Sequence, residues 1–222
     1  MPSQERAERT RRSLIVAAAT ALDESAVEVL GGDALPGLDA ISRAAGVSKG
    51  ALYYHFRSKG ELIEAVRAEA RCELRRLTAE CVAAHGPGAG LDAVVDVAVA
   101  VAGLLDRDPV CRSGVRLDGV EGFALAAGDG PPEWMAPIGA LLASAADRGE
   151  LREGVVPEEA AMALTAMAAG VLLICERNAG VSRTEMVARL WGAVLPGLAA
   201  PPADGCPFLA ADCGAVPADL GN

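Results

Sequence analysis

Ser48, Lys49, Gly50, Tyr53, Tyr54, His55 and Lys59 carry the strongest chemical signal in the sequence. An ammonium group can reach a guanine edge, while tyrosine, histidine and a second ammonium can donate to phosphate oxygens, so this set suits double-stranded nucleic acid. Gly50 leaves room for close backbone approach near a helix start, where free N–H groups suit phosphate. Both lysines of the chain lie in this stretch, against 18 arginines in all, and so do both tyrosines of a protein with seven aromatic residues. Neighbouring helical positions cannot both be buried, so Tyr53 beside Tyr54 reads as a working surface. Catalytic alternatives lack their parts. His55 and His85 are the only histidines, and the six cysteines (Cys72, Cys81, Cys111, Cys175, Cys206, Cys213) form no Cys-x-x-Cys pair with a nearby histidine for zinc. With no nucleophile elbow or phosphate loop either, no enzyme, metal or cofactor is expected, and His85 in its Gly/Pro loop reads as a solvated bystander.

Such side chains need a rigid element beneath them. Ile15, Ala18, Ala19, Leu22, Ala26 and Val29 recur at helical spacing, with Asp23, Glu24 and Glu28 on the other face. An amphipathic helix explains this better than an export signal built on Arg11-Arg12. Breakers over 31–37 predict a loop, followed by a helix over 38–45. Gly46 ends it, and Ser48 caps a further helix through Phe56. Two short helices joined by a glycine turn form a helix-turn-helix, locked on the first helix by Leu38, Ile41, Ala45, Val47, Leu52 and Phe56. Ser58 caps a long helix patterned by Leu62, Val66, Ala70, Leu74, Leu77 and Cys81, with Arg67, Arg71, Arg75 and Arg76 expected on a solvated face. More helices are expected over 91–105, 112–123, 134–148, 157–177 and 183–195, the last ending at Pro196-Gly197. The apolar content, 52% of residues and mostly Ala, Val and Leu, favours an all-α fold.

The net charge of −10 argues against a polyanion partner for most of the chain. Residues 1–62, however, carry eight basic and eight acidic side chains, whereas 63–222 carry 12 and 22. Nucleic acid is therefore a partner for the first segment only. This suggests a DNA-binding domain over 1–62, a second helical domain over 63–199, and a flexible Pro/Gly/Ala-rich tail over 200–222. The longest apolar run, 160–175, has 16 residues. Roughly 20 are needed to cross a bilayer, so no membrane segment is expected, and reduced thiols point to the cytoplasm.

The run Ala-Gly-Val-Ser-Lys-Gly-Ala-Leu-Tyr-Tyr-His-Phe from Ala45 to Phe56 resembles the signature of the TetR family of bacterial repressors, and residues 10–66 resemble their DNA-binding domain. The sequence departs from the usual pattern at Gly37, where a capping Thr is common, and at Gly60, where an acidic residue is common. The resemblance implies an all-α homodimer with an N-terminal three-helix reading head and a C-terminal ligand-binding and dimerisation domain, whose last two long helices form the dimer interface. Arg116-Leu117, Trp134, the stretch 141–151 and the stretch 191–198 further resemble the γ-butyrolactone-receptor branch. That likeness implies that Trp134 lines a cavity for a small butyrolactone, furan or butenolide hormone controlling antibiotic production. Met135 is a candidate soft wall of that cavity. Thr165, a lone hydroxyl in an apolar helix, is either a ligand contact or bonded to the carbonyl one turn earlier. The implied function is a repressor released from a near-palindromic operator by a lactone-like effector. The alternative is a pseudo-receptor of the same fold answering to an antibiotic or another hydrophobic compound, as an efflux-type regulator does.

Overall fold

The computed structural model describes residues 2–25, 37–122, 136–178 and 180–201. These form nine α-helices: α1 (Pro2–Ser25), α2 (Leu38–Ala44), α3 (Lys49–His55), α4 (Lys59–His85), α5 (Leu91–Arg107), α6 (Pro109–Gly122), α7 (Ala136–Asp147), α8 (Pro157–Arg177) and α9 (Arg183–Leu198). Among the described residues the only extended pairing is an isolated antiparallel bridge between Leu151 and Ala199.

Local chemistry sets the first half. The hydroxyls of Ser48 and Ser58 accept from the amides of Ala51 (3.2 Å) and Glu61 (3.1 Å) and so start α3 and α4. The Glu61 carboxylate in turn accepts from the Arg57 amide at 2.7 Å. Gly46, at φ 66°, closes α2 in the left-handed region, and the amide of Val47 donates to the Ser42 carbonyl at 3.0 Å. One apolar cluster joins Leu14, Ile15 and Leu22 of α1 to Ile41, Leu52, Phe56, Leu62 and Val66. A second begins at Leu74 and takes in α5, α7, α8 and α9. The 27-residue α4 carries side chains in both, so it runs unbroken across the boundary expected near residue 62.

Several boundaries differ from the sequence reading for identifiable reasons. α6 starts at Pro109 rather than 112, because the Asp108 carboxylate accepts from the amides of Val110 (2.7 Å) and Cys111 (3.2 Å), and proline is at home in a first turn. α9 continues through Pro196 and Gly197 to Leu198. Its last turn is held from outside: the Arg152 amide donates to the Leu198 carbonyl at 2.8 Å and its guanidinium to the Pro196 carbonyl at 2.8 Å. Ala200, where the tail was expected to begin, donates its amide to Glu150 at 2.7 Å; residues 202–222 lie outside the described set.

Three charged groups also depart from expectation. Arg67 and Arg71 are not a solvated face. Arg71 forms a two-pronged pair with Asp118 of α6 (2.7 and 2.8 Å), and Arg67 donates to the Leu117 carbonyl at 3.2 Å. Arg75 and Arg76 are exposed as expected, with Arg76 on Glu73 and Glu80. His85 is no bystander: it ends α4 with Nδ1 2.9 Å from the Cys81 carbonyl and Nε2 3.0 Å from Asp96 of α5. Both partners only accept, so the arrangement favours the protonated ring, in which both nitrogens donate. The Cys81 carbonyl, then Asp96 and Asp92, raise its pKa above 6.5.

α8 contains a 19-residue stretch, Pro157–Cys175, long and apolar enough to cross a bilayer by those two measures. The stretch is longer than the uncharged run of 16 because it also takes in Pro157 and the charged Glu158 and Glu159. One side of the helix (Ala160, Leu164, Val171, Cys175) is buried in the protein core.

Candidate nucleic-acid interface and ligand cavity

The second helix of the helix-turn-helix, α3, keeps Leu52 and its cap Phe56 in the core and turns the rest outwards. Tyr53 is 46% and Tyr54 81% exposed, large values for aromatic side chains with free choice of burial. Lys49 and Gly50 are exposed, and His55 and Lys59 half-buried. A Cβ at Gly50 would meet nothing closer than the Ser48 hydroxyl at 4.0 Å. The fold therefore does not demand glycine there, although glycine costs about 1 kcal/mol of helix stability against alanine. Lys49 donates to Asp39 of α2 at 2.8 Å and stands 5.9 Å from the centre of the Tyr53 ring. That hydrogen bond, reinforced by the Asp39 charge, raises the Lys49 pKa. Tyr54 and His55 meet edge to face at 5.1 Å and border a groove against Gln4, Glu8 and Arg11 of α1. The seven candidate residues thus occupy one stretch of surface from the turn to the start of α4. Gly37 caps α2 without a side-chain bond, as its departure from the family pattern leads one to expect.

In the helical body, α5, α7, α8 and α9 line an apolar cavity of about 80 Å³. Val97, Val101, Leu164, Met167 and Trp191 are among its walls, and among the described residues Arg183 is the one charged side chain lining it. Thr165 is buried but donates to the Ala161 carbonyl at 2.8 Å and does not line the cavity. Its hydroxyl is satisfied one turn back along its own helix. Trp134 and Met135 lie outside the described residues.

Body and reading head are joined through α6. The Arg112 guanidinium grips Asp23 of α1 (2.6 and 2.8 Å) and donates to the Leu105 carbonyl of α5 at 2.6 Å. Ser113 donates to the Ala19 carbonyl at 2.8 Å, and Arg116 to that of Leu22. Asp106, at the end of α5, accepts from the Thr184 and Arg183 amides (both 3.1 Å) and from the Thr184 (2.9 Å) and Ser182 (3.0 Å) hydroxyls at the start of α9. Burial raises the Asp106 pKa, but these donors outweigh it and hold it at about 2. None of these long-range pairs has a sequence signature. Only Ser182 followed by Glu185 announces a helix start that could have drawn attention to Arg183.

A helix-turn-helix with its reading face exposed, set on a helical body, is the architecture of a transcription regulator rather than an enzyme. Residues 25–66 match the model of the bacterial regulatory proteins of the tetR family. Over 202 residues the chain is 30% identical to the A-factor receptor protein of Streptomyces griseus, covering 90% of this chain and 68% of that one. Among solved structures it is similar to CprB of Streptomyces coelicolor (28% identity, TM-score 0.68, covering 88% of this chain and 91% of that one). It is also similar to an ArpA-like gamma-butyrolactone receptor (27%, TM-score 0.67, 87% and 90%). The chain belongs to the tetR family.

Proposed function

We propose that the protein is a ligand-responsive repressor that binds a near-palindromic operator as a homodimer in the cytoplasm and is released by a small lactone-like molecule, controlling secondary-metabolite genes. The observation that carries this reading is the pairing of the exposed α3 face with the apolar cavity in one chain, joined by α6. Its likeness to a gamma-butyrolactone receptor and to the A-factor receptor favours the lactone class. CprB is also solved with its operator sequence, again at 27% identity and a TM-score of 0.64.

On this reading residues 1–62 read DNA and 63–199 sense the effector. Lys49 contacts a base edge; Ser48, Tyr53, Tyr54, His55 and Lys59 contact the backbone; and Gly50 lets a phosphate approach. Trp134 and Met135 are assigned to effector binding, and Thr165 supports the cavity wall from behind. The effector prefers a conformation other than the one that fits the operator, and that differential affinity is the switch.

The test is a mobility shift on the protein's own upstream DNA with the wild type and Lys49→Ala. Lys49→Ala should lose roughly 10- to 100-fold in specific affinity, as expected for one bidentate base contact, and little on scrambled DNA. Equal loss on both overturns the base-reading role. Release by an early lactone fraction of culture extract supports the effector class; release by a mature antibiotic alone makes the protein a pseudo-receptor.

A further inference from the structure

The cavity is apolar on every side but one. Arg183, the first residue of α9, lines it and is 11% exposed. Its Nη1 lies 3.4 Å from Asp106 Oδ1, while its Nε is buried without a hydrogen-bond partner among the described residues. Asp106 is otherwise fully engaged in capping α9, so Arg183 Nε–H is a buried donor with no acceptor among the described residues. Proteins rarely keep such a group without a use. Its charge, by contrast, is already answered, because Asp106 is ionised at neutral pH and lies against the same guanidinium.

We infer that Arg183 is the polar anchor of the ligand site, donating its Nε–H to an uncharged carbonyl oxygen of a lactone, ester or ketone, and that a carboxylate at that position is rejected. Guanidinium and Asp106 form a neutral pair. A carbonyl acceptor completes the hydrogen bonding and leaves the balance intact, whereas a carboxylate adds a buried uncompensated charge. The inference rests on the cavity being the effector site, and it selects among effectors by charge rather than by size.

The test uses the full chain labelled with [¹³C-methyl]methionine, so that Met167 in the cavity wall reports binding by NMR. The probes are γ-octalactone, octanoate and butylbenzene. The wild type should bind the lactone at least about 10-fold more tightly than octanoate. Arg183→Met should weaken the lactone about 10- to 100-fold, the worth of a hydrogen bond from a charged donor, and leave butylbenzene within about 2-fold. Asp106→Asn removes the counter-charge but replaces one of the two oxygens that cap α9 by an NH2; with its methionine spectrum first shown to match the folded wild type, it should raise octanoate affinity relative to the lactone. Butylbenzene bound with no preference for the lactone, an undiminished lactone affinity in Arg183→Met, or octanoate unmoved by Asp106→Asn each overturns the role of Arg183. If the wild type binds none of the three probes, the cavity reading falls and the anchor with it.

Discussion

Lys49 meets Asp39 before it meets DNA. Both side chains are 61% exposed, and an ion pair in that setting is weakened by solvent and salt, so it gives way readily to a base edge. The carboxylate nevertheless competes with the operator for the same ammonium and repels the phosphates. Asp39→Asn should therefore tighten operator binding about 2- to 5-fold in a titration at fixed salt; unchanged or weaker binding would show that Lys49 does not need to leave Asp39. His85 makes a pH prediction. Its folded pKa is raised, so the stability it contributes is full below its unfolded value of 6.5 and fades as pH rises through the folded value. Thermal melts of the wild type and His85→Gln should differ most near pH 5.5 and converge towards pH 9. A gap that widens with pH would mean that Asp96 does not pair with a protonated ring.

At the scale of elements, α6 joins the continuous α4 in holding body and reading head together, and its packing leaves little slack. A Cβ on Gly114 would fall 2.2 Å from the Ala70 Cβ and 3.4 Å from the Val66 carbonyl of α4. Gly114→Ala must push α6 off α4, which should cost about 1–3 kcal/mol in denaturant unfolding, the usual range for overpacking. Ser113→Ala, which removes only the buried bond to α1, should cost about 1 kcal/mol. Because α6 also holds α1, both variants should blunt effector release of DNA more than they weaken operator affinity; full release with either would remove α6 from the signal path. The sequence shows this architecture unevenly. Gly46, Ser48 and Ser58 act within a few residues of themselves, so the turn and the starts of α3 and α4 are readable from local chemistry alone. Pairs such as Arg71 with Asp118, or Arg183 with Asp106, join positions 47 and 77 residues apart. They exist only once helices pack, and the same holds for a cavity assembled from four helices. The candidate DNA-facing residues stand out in the sequence because they depart from what a helix needs for itself, as Gly50 and the paired tyrosines do.

Across the whole molecule, the excess negative charge sits in the body, so the reading head works as a neutral surface with a few placed cations. A single head of that kind has little with which to hold a polyanion, and two heads joined at fixed separation gain affinity through effective concentration. α8 presents a surface suited to that joining. Met162, Leu173 and Ile174 are 61%, 52% and 48% exposed on a helix whose other side is already core, so the helix is apolar on both faces. A helix of that kind calls for a partner on its outer side. A second copy of the chain, using the same side of α8, satisfies this and gives the two-fold symmetry that a near-palindromic operator requires. Replacing Leu173 and Ile174 together with Glu should leave the monomer folded, since both side chains are half out of the protein, and circular dichroism should show unchanged helicity. Sedimentation should then show a monomer where the wild type is a dimer, with operator affinity lower by about 100-fold or more as the two heads become independent. A variant that still sediments as a dimer would place the dimer interface away from this face of α8.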